Sequence, residues 1–403
     1  MGYLEDCILA EQKRQQNHIE LIASENYVSE AVCRAVGGCM TNKYSEGYPE
    51  KTSVEAFTAA FPDYVHSGSI GRYYGGCENV DRSELYCRYL FQKAFHTDYH
   101  VNVQPHSGSN ANFAAFLSVL QPGDRVLSMN LNNGGHLTHG SPVNLSGKLF
   151  DFCFYDIDEN GFIDYQDVAQ KAREFRPKLI LAGASAYSRI IHFDRFAEIA
   201  KEVGAILMVD MAHISGLVAT GYHPSPFGLA DLITMTTHKT FRGPRGGVIF
   251  CKRELAKKVD SAVFPGTQGG PLQHIIAGKA VAAEEACQPA FRDYIGRVVE
   301  NCQAMCQRFR ELGYDIVSGG TDNHLFLIDL TKTGLSGKQV QNELDRHGIT
   351  ANKNCVPQET RSPQQTSGLR VGTAAMTTLG WGKEDFIRTA DEMDRIIRSM
   401  QEK

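Results

Sequence analysis

No stretch of about 18 or more apolar residues occurs in the 403-residue chain, so the sequence offers no membrane-spanning helix. It opens Met1-Gly2-Tyr3-Leu4-Glu5-Asp6, with acids where a secretory signal carries its apolar segment, and no signal is expected. Positive charge is not in excess either. Lys plus Arg number 41 against 46 Asp plus Glu, for a formal charge of -5, and no long basic stripe appears, so nucleic acid is not an expected partner. Cys-x-x-Cys pairs and metal-ligand spacings are also missing. The 11 cysteines are scattered from Cys7 to Cys355, which points to reduced thiols in a cytoplasmic protein without a metal centre. Cys302 and Cys306, one turn apart on an expected helix, read as packing residues. No Walker or dinucleotide glycine fingerprint competes for a phosphate-binding role, and no internal repeat stands out.

What is present is a chain that is 42% hydrophobic, long enough for at least two domains. Residues 5 to 20 are polar and charged, with scattered Leu and Ile, and predict a helix lying on a neighbour. Helical spacing follows over Glu84 to Phe95 and Ala111 to Leu120. Short apolar runs at Arg125–Met129, Lys178–Ala182, Ala205–Val209, Leu232–Thr236 and Gly247–Cys251 read as mostly buried strands. Helical patterns lie between several of them, clearest at Phe193 to Val203. This alternation predicts an α/β sandwich around a mainly parallel sheet. Helices at Pro271 to Cys287 and Phe291 to Leu312, a strand at Asn323 to Leu330, and helices at Lys338 to His347 and Lys383 to Met400 predict a smaller α+β domain. The division reads as 1–80 for an N-terminal arm, 81–275 for a large domain and 276–403 for a small one.

Near the end of the fourth core strand comes Thr236-Thr237-His238-Lys239-Thr240, then the glycine-rich Phe241-Arg242-Gly243-Pro244-Arg245-Gly246-Gly247. Burying an ammonium is costly unless something uses it, and Schiff-base chemistry uses a lysine whose pKa is lowered. A surface-loop lysine is the other reading. Asp210 ends the run Ala205 to Val209, at the strand edge where open α/β sheets bind ligands. Beside a pyridine nitrogen it would keep that nitrogen protonated; otherwise it caps the next helix. Ser107-Gly108-Ser109, leading into a helix near Ala111, suits an anion or an ordinary N-cap. His136, between glycines and a further histidine, could stack on a planar ring or face solvent.

Taken in order, seven segments resemble serine hydroxymethyltransferase, a family of fold-type I pyridoxal-phosphate enzymes. They are Leu21-Ile22-Ala23-Ser24-Glu25-Asn26, Thr41 to Pro49, Arg72-Tyr73-Tyr74-Gly75-Gly76, Ser107-Gly108-Ser109, Val209 to His213, Thr237 to Thr240, and Ser367 to Thr373. The resemblance covers nearly the whole chain. It implies an aspartate-aminotransferase-like α/β fold: a large domain with a mainly parallel seven-stranded sheet, and a smaller α+β C-terminal domain. It further implies pyridoxal 5'-phosphate covalently held on Lys239, with Asp210 at the pyridine nitrogen and His136 stacked on the ring. Ser107, Gly108, Ser109 and His238 would hold the phosphate, with Tyr44 and Gly270 arriving from a partner subunit. Ser185 would meet the phenolic oxygen, and Arg370 the amino-acid carboxylate, assisted by Ser24 and His213.

By the same resemblance Glu46 would move protons near the serine hydroxyl and the folate, and Tyr74 would sit by substrate and lysine. Tyr73, Leu131, Leu137 and Asn354 would line the folate pocket. The implied reaction is reversible transfer of the hydroxymethyl carbon of L-serine to tetrahydrofolate, through an external aldimine and a quinonoid. It yields glycine and 5,10-methylenetetrahydrofolate, with side aldolase activity on β-hydroxy amino acids. A homodimer with sites at its interface, or a dimer of dimers, is implied.

Three departures stand out. The family runs from Gly47-Tyr48-Pro49 to Arg72-Tyr73-Tyr74 almost directly, whereas here Glu50 to Ile70 intervenes, with helical spacing stopped by Pro62 and a turn at Ser67-Gly68-Ser69. It reads as a surface excursion or as a cap on the folate entrance. Asn133 replaces a usual histidine, and Phe241 a usual leucine.

Overall fold

The computed structural model describes residues 2–49, 54–61 and 71–402. Its centre is a sheet of seven strands, β1 (His100–Asn102), β2 (Arg125–Met129), β3 (Asp151–Tyr155), β4 (Leu179–Ala182), β5 (Ile206–Asp210), β6 (Leu232–Thr236) and β7 (Gly247–Cys251). The spatial order is β1-β7-β6-β5-β4-β2-β3. β2 to β6 run parallel to one another, and β7 is antiparallel to both β6 and β1. The mainly parallel seven-stranded sheet is therefore present.

The apolar runs explain why it forms. Successive strand residues point to opposite faces. Ile180, Ala182, Leu207, Val209, Ile233, Met235, Val248 and Phe250 join one apolar cluster. Their neighbours Leu179, Leu181, Met208, Leu232, Ile249 and Cys251 join another on the opposite face. Both faces are covered, which is the condition a parallel sheet requires.

Flanking helices supply the cover. An N-terminal helix α1 (Gly2–Asn17) buries none of its residues. α2 (Val54–Ala60) and α3 (Glu78–Ala94) pack on each other, and α4 (Gly108–Val119) sets Ala111, Ala114, Ala115 and Phe116 against the second face. α5 (Phe193–Val203) and α6 (Gln273–Ala286) cover the first face. Both α3 and α4 begin earlier than their apolar spacing predicts. The first turn of α4, from Gly108, is small and polar, and the first turn of α3, from Glu78, carries Asp81 in a buried ion pair with Arg72 beside buried Val80.

α7 (Pro289–Glu311) belongs to two cores. Phe291, Tyr294, Ile295, Val298 and Val299 pack with the large sheet, whereas Cys302, Met305, Cys306 and Phe309 pack with the C-terminal unit. That unit has a four-stranded antiparallel sheet, order β10-β11-β9-β8, built from β8 (Asp315–Ile316), β9 (Leu325–Asp329), β10 (Asn352–Asn354) and β11 (Gly368–Gly372). α8 (Gly337–Arg346) and α9 (Lys383–Gln401) complete its core.

The Glu50 to Ile70 excursion is closed at its neck. Gly47 and Arg72 form an antiparallel bridge, and Tyr73 N donates to Glu46 O at 2.9 Å. Buried Arg72 clamps this neck by pairing with Asp81 (2.7 Å) and Glu84 (2.8 Å) while donating to the carbonyls of Ser45 and Gly47. α2 lies on α3 through Phe57 and Leu85, and Phe61 stacks on Tyr86 with centroids 5.2 Å apart. The Pro62 stop and the turn at Ser67-Gly68-Ser69 fall outside the described residues.

Candidate active site

Parallel strands bring their carboxyl ends to one edge, where ligands of open α/β sheets bind. β5 ends on Asp210, β6 three residues before Lys239, β4 three before Ser185, and β2 ahead of the loop carrying His136. At that edge opens a cavity of about 320 Å³. Of the residues singled out from sequence, Ser24, Ser107, Gly108, Ser109, His136, Ser185, Asp210, His213, His238, Lys239 and Arg370 line it.

Asp210 is fixed by three donors. Asn112 Nδ2 (2.8 Å) and His139 Nε2 (3.0 Å) reach Oδ2, and Ala212 N reaches Oδ1 at 3.0 Å. The last is a local turn contact, so part of the capping reading holds, but the other oxygen is held from distant elements. Burial works to raise its pKa, yet the hydrogen bond and field of His139, with His136 and Asn112, hold the carboxyl well below the usual range. His136 bonds Thr138 Oγ1 through Nδ1 at 2.7 Å, and burial with the neighbouring His139 pushes it down to about 4, so its ring is neutral.

Lys239 is 7% exposed, which removes the surface-loop reading. Its carbonyl accepts from Asn26 Nδ2, while its ammonium has no hydrogen-bond partner among the described residues. Burial lowers its pKa to about 8, with Asp210 opposing and the charges of Arg370 and Arg245 assisting.

At one end of the cavity Ser107 is the N-cap of α4, its Oγ accepting from Asn110 N at 3.1 Å. The cap spends the hydroxyl, and Gly108 and Ser109 begin the helix with first-turn amides that face no carbonyl of their own helix. A Cβ on Gly108 would lie 2.5 Å from Thr236 Cγ2, so only glycine lets the helix approach β6. His238 lies beside it, pushed down to about 3 by burial and by Arg245 and Lys239, and its buried Nδ1 has no partner among the described residues. At the other end Arg370 donates through Nε to Asn352 Oδ1 (3.0 Å) and through Nη1 to Ser185 O (2.7 Å). Its Nη2 is left without a partner among the described residues. Burial lowers Arg370 to about 10. His213 and His324 stack nearby, ring nitrogens 3.3 Å apart, and burial keeps both neutral.

Other candidates lie outside this cavity, in two groups. Tyr44 OH donates to Glu46 Oε1 at 3.2 Å, Tyr44 packs edge-on against Tyr74 at 4.8 Å, and Tyr74 meets Tyr73 at 5.4 Å. Gly270 lies against the Tyr44 ring, so Tyr44, Glu46, Tyr73, Tyr74 and Gly270 form one cluster, with all three tyrosines exposed. Asn354 lines a small cleft with Asn133, Gly134 and Tyr187, and Leu131 and Leu137 are exposed on the loop beside it. Asn133 itself donates to Asp156 Oδ1 at 2.7 Å, and Phe241 is buried, stacked on Phe91 and Phe95.

Asn112, His139, Arg245 and His324 are functional-site residues that the sequence reading did not single out. Asn112 lies one helical turn beyond Gly108, which was the available signal. His139 lies 71 residues from the carboxylate it holds, and nothing local marks that contact.

The cavity suits pyridoxal phosphate. A buried amine without a partner would meet the aldehyde, a pinned carboxylate the ring nitrogen, and the Gly108 cradle with the unsatisfied His238 Nδ1 the phosphate. A family model described as serine hydroxymethyltransferase matches residues 3–393, nearly the full chain. With the large mixed sheet and smaller C-terminal unit, this establishes a fold-type I α/β architecture for a pyridoxal-phosphate enzyme of serine and folate one-carbon chemistry. The chain belongs to the serine hydroxymethyltransferase family.

Proposed function

We propose that this protein carries the hydroxymethyl carbon of L-serine to tetrahydrofolate, giving glycine and 5,10-methylenetetrahydrofolate, with pyridoxal phosphate attached to Lys239. The observation that carries the reading is the partnerless Lys239 amine, lowered to about 8, in one cavity with the fixed Asp210 carboxylate. When bound, the cofactor supplies the electron sink that stabilises a carbanion at the amino-acid Cα. Asp210 would keep the ring nitrogen protonated, and the neutral His136 imidazole would stack on the ring. Arg370 has Nη2 free for the substrate carboxylate, and its other nitrogens are anchored so that the guanidinium keeps one orientation. Ser24 and His213 lie within the same walls.

Glu46 and Tyr74 share a cluster with Tyr44 and Gly270, so the four act together. We place that cluster in the cavity of a second copy, where Glu46 moves the proton of the serine hydroxyl; the exposed tyrosines support this. The cleft at Asn354, with Leu131 and Leu137 beside it and Tyr73 arriving with the cluster of the second copy, would receive folate. The 11 cysteines are all free thiols, which fits a cytoplasmic setting.

The test is glycine formation from serine with methylenetetrahydrofolate followed in parallel. Both products should appear together and only with tetrahydrofolate present. Glycine released at the same rate without folate would instead make the protein an aldolase. Lys239→Ala should keep the native circular dichroism and lose the borohydride-trapped adduct.

A further inference from the structure

Lys279, on α6, is a second deeply buried lysine, 1% exposed, and it does not line the cavity. Its ammonium donates to three backbone carbonyls, Val103 (2.7 Å), Gly247 (2.9 Å) and Pro105 (3.0 Å), which uses all its donors. Those carbonyls come from the two segments that build the phosphate end of the site. Val103 and Pro105 lead into the N-cap Ser107, and Gly247 closes the glycine-rich loop that follows Lys239.

The segments meet at this point without spare room. Gly247 N donates to Pro105 O at 3.1 Å, and a Cβ on Gly247 would lie 2.3 Å from Ser107 O. A Cβ on Gly246 would lie 2.3 Å from Lys279 Cε and 3.0 Å from Nζ. Lys279 is thus the bolt between the strand-to-cradle turn and the loop behind Lys239.

Lys279 also brings a charge to this junction. A buried ammonium is costly unless an anion compensates it. No carboxylate lies within ion-pair distance of Lys279 among the described residues. Glu84, whose field reaches it, has its oxygens committed to Arg72, Gln104 and Gln273. Burial pushes Lys279 down to about 8, against Cys87 and Glu84, so it keeps its charge at neutral pH.

We propose that Lys279 is a positioning residue for the cofactor phosphate: it fixes the Pro105–Ser109 turn, and its uncompensated charge favours a dianion on the far side of that backbone. The proposal rests on the pyridoxal-phosphate reading above and adds a residue that does not touch the cofactor.

The experiment compares two probes on the full-length chain stripped of cofactor: pyridoxal phosphate, and pyridoxal, which lacks the phosphate. In Lys279→Met the dissociation constant for pyridoxal phosphate should rise about tenfold or more, the equivalent of one lost charge-assisted interaction, while that for pyridoxal stays unchanged. Gly246→Ala keeps the lysine but displaces its ammonium, and should show the same selective loss. It decides the matter if Lys279→Met does not fold by circular dichroism. Equal loss of both probes in the variants, or an undiminished preference for the phosphorylated one, overturns the role. A native chain that binds neither probe fails the cofactor reading itself, a distinct result that takes this inference with it.

Discussion

Lys239 sits between opposing influences. Burial drives its pKa down, the Asp210 carboxylate pulls it up, and the Arg370 and Arg245 charges push it down again, to about 8. Roughly one molecule in ten then carries a neutral amine at pH 7, against fewer than about one in a thousand for an exposed lysine. The neutral form is the nucleophile, so covalent attachment of added pyridoxal phosphate should accelerate as pH rises through about 8 and level off above it. Asp210→Asn removes the upward influence. The attachment profile of that variant should therefore shift to lower pH, and the borohydride-trapped adduct followed against pH measures this directly. A profile that stays in place would mean that the two groups do not communicate. The residues of this pair were readable from sequence because each follows an apolar strand. The groups that tune them were not: Asn112 is 98 positions from Asp210, His139 is 71, and neither interrupts a local pattern.

Among the elements, strands buried on both faces were the most legible. β2, β6 and β7 coincide with their apolar runs, β4 starts one residue later than its run, and β5 is shifted by one residue at both ends. β1 and β3 gave no such signal. β1 has three residues including His100 and Asn102, and β3 is an edge strand whose Asp-Phe-Cys-Phe-Tyr is mostly half-buried. Their presence came from the family resemblance alone. The element that departs from the family, α2, rests on α3 through Phe57, with Phe61 just beyond its end stacked on Tyr86, and contributes nothing to the lining of the Lys239 cavity. Because Arg72 and the Gly47–Arg72 bridge close the neck, the flanks do not depend on the intervening chain, and loop length adds little closure cost. Replacing residues 50–70 by a short turn should leave both the serine turnover rate and the KM for tetrahydrofolate unchanged. A raised KM for tetrahydrofolate with the rate preserved would place the segment at the folate entrance.

At the scale of the whole molecule, one chain holds two incomplete sets of groups. The cavity has the lysine, the carboxylate, the phosphate cradle and the guanidinium, whereas Glu46, Tyr44 and Tyr74 form a separate, largely exposed cluster. Clustered, exposed aromatic side chains are expected where a second surface covers them. A twofold assembly would give each cavity the cluster of the other chain, and symmetry would make two equivalent sites. Subunit mixing tests this arrangement. Lys239→Ala loses the amine in its own cavity, and Glu46→Gln spoils the cavity of the other chain, so each variant alone should be nearly inactive. Refolded together in equal amounts, half of the pairs are mixed. Both lesions then fall on the same site, which leaves one intact site per mixed pair and restores about a quarter of native activity. If Glu46 served its own cavity, each site of a mixed pair would carry one lesion and mixing would restore nothing. The serine-to-glycine rate of the mixture, against that of each variant alone, separates the two arrangements.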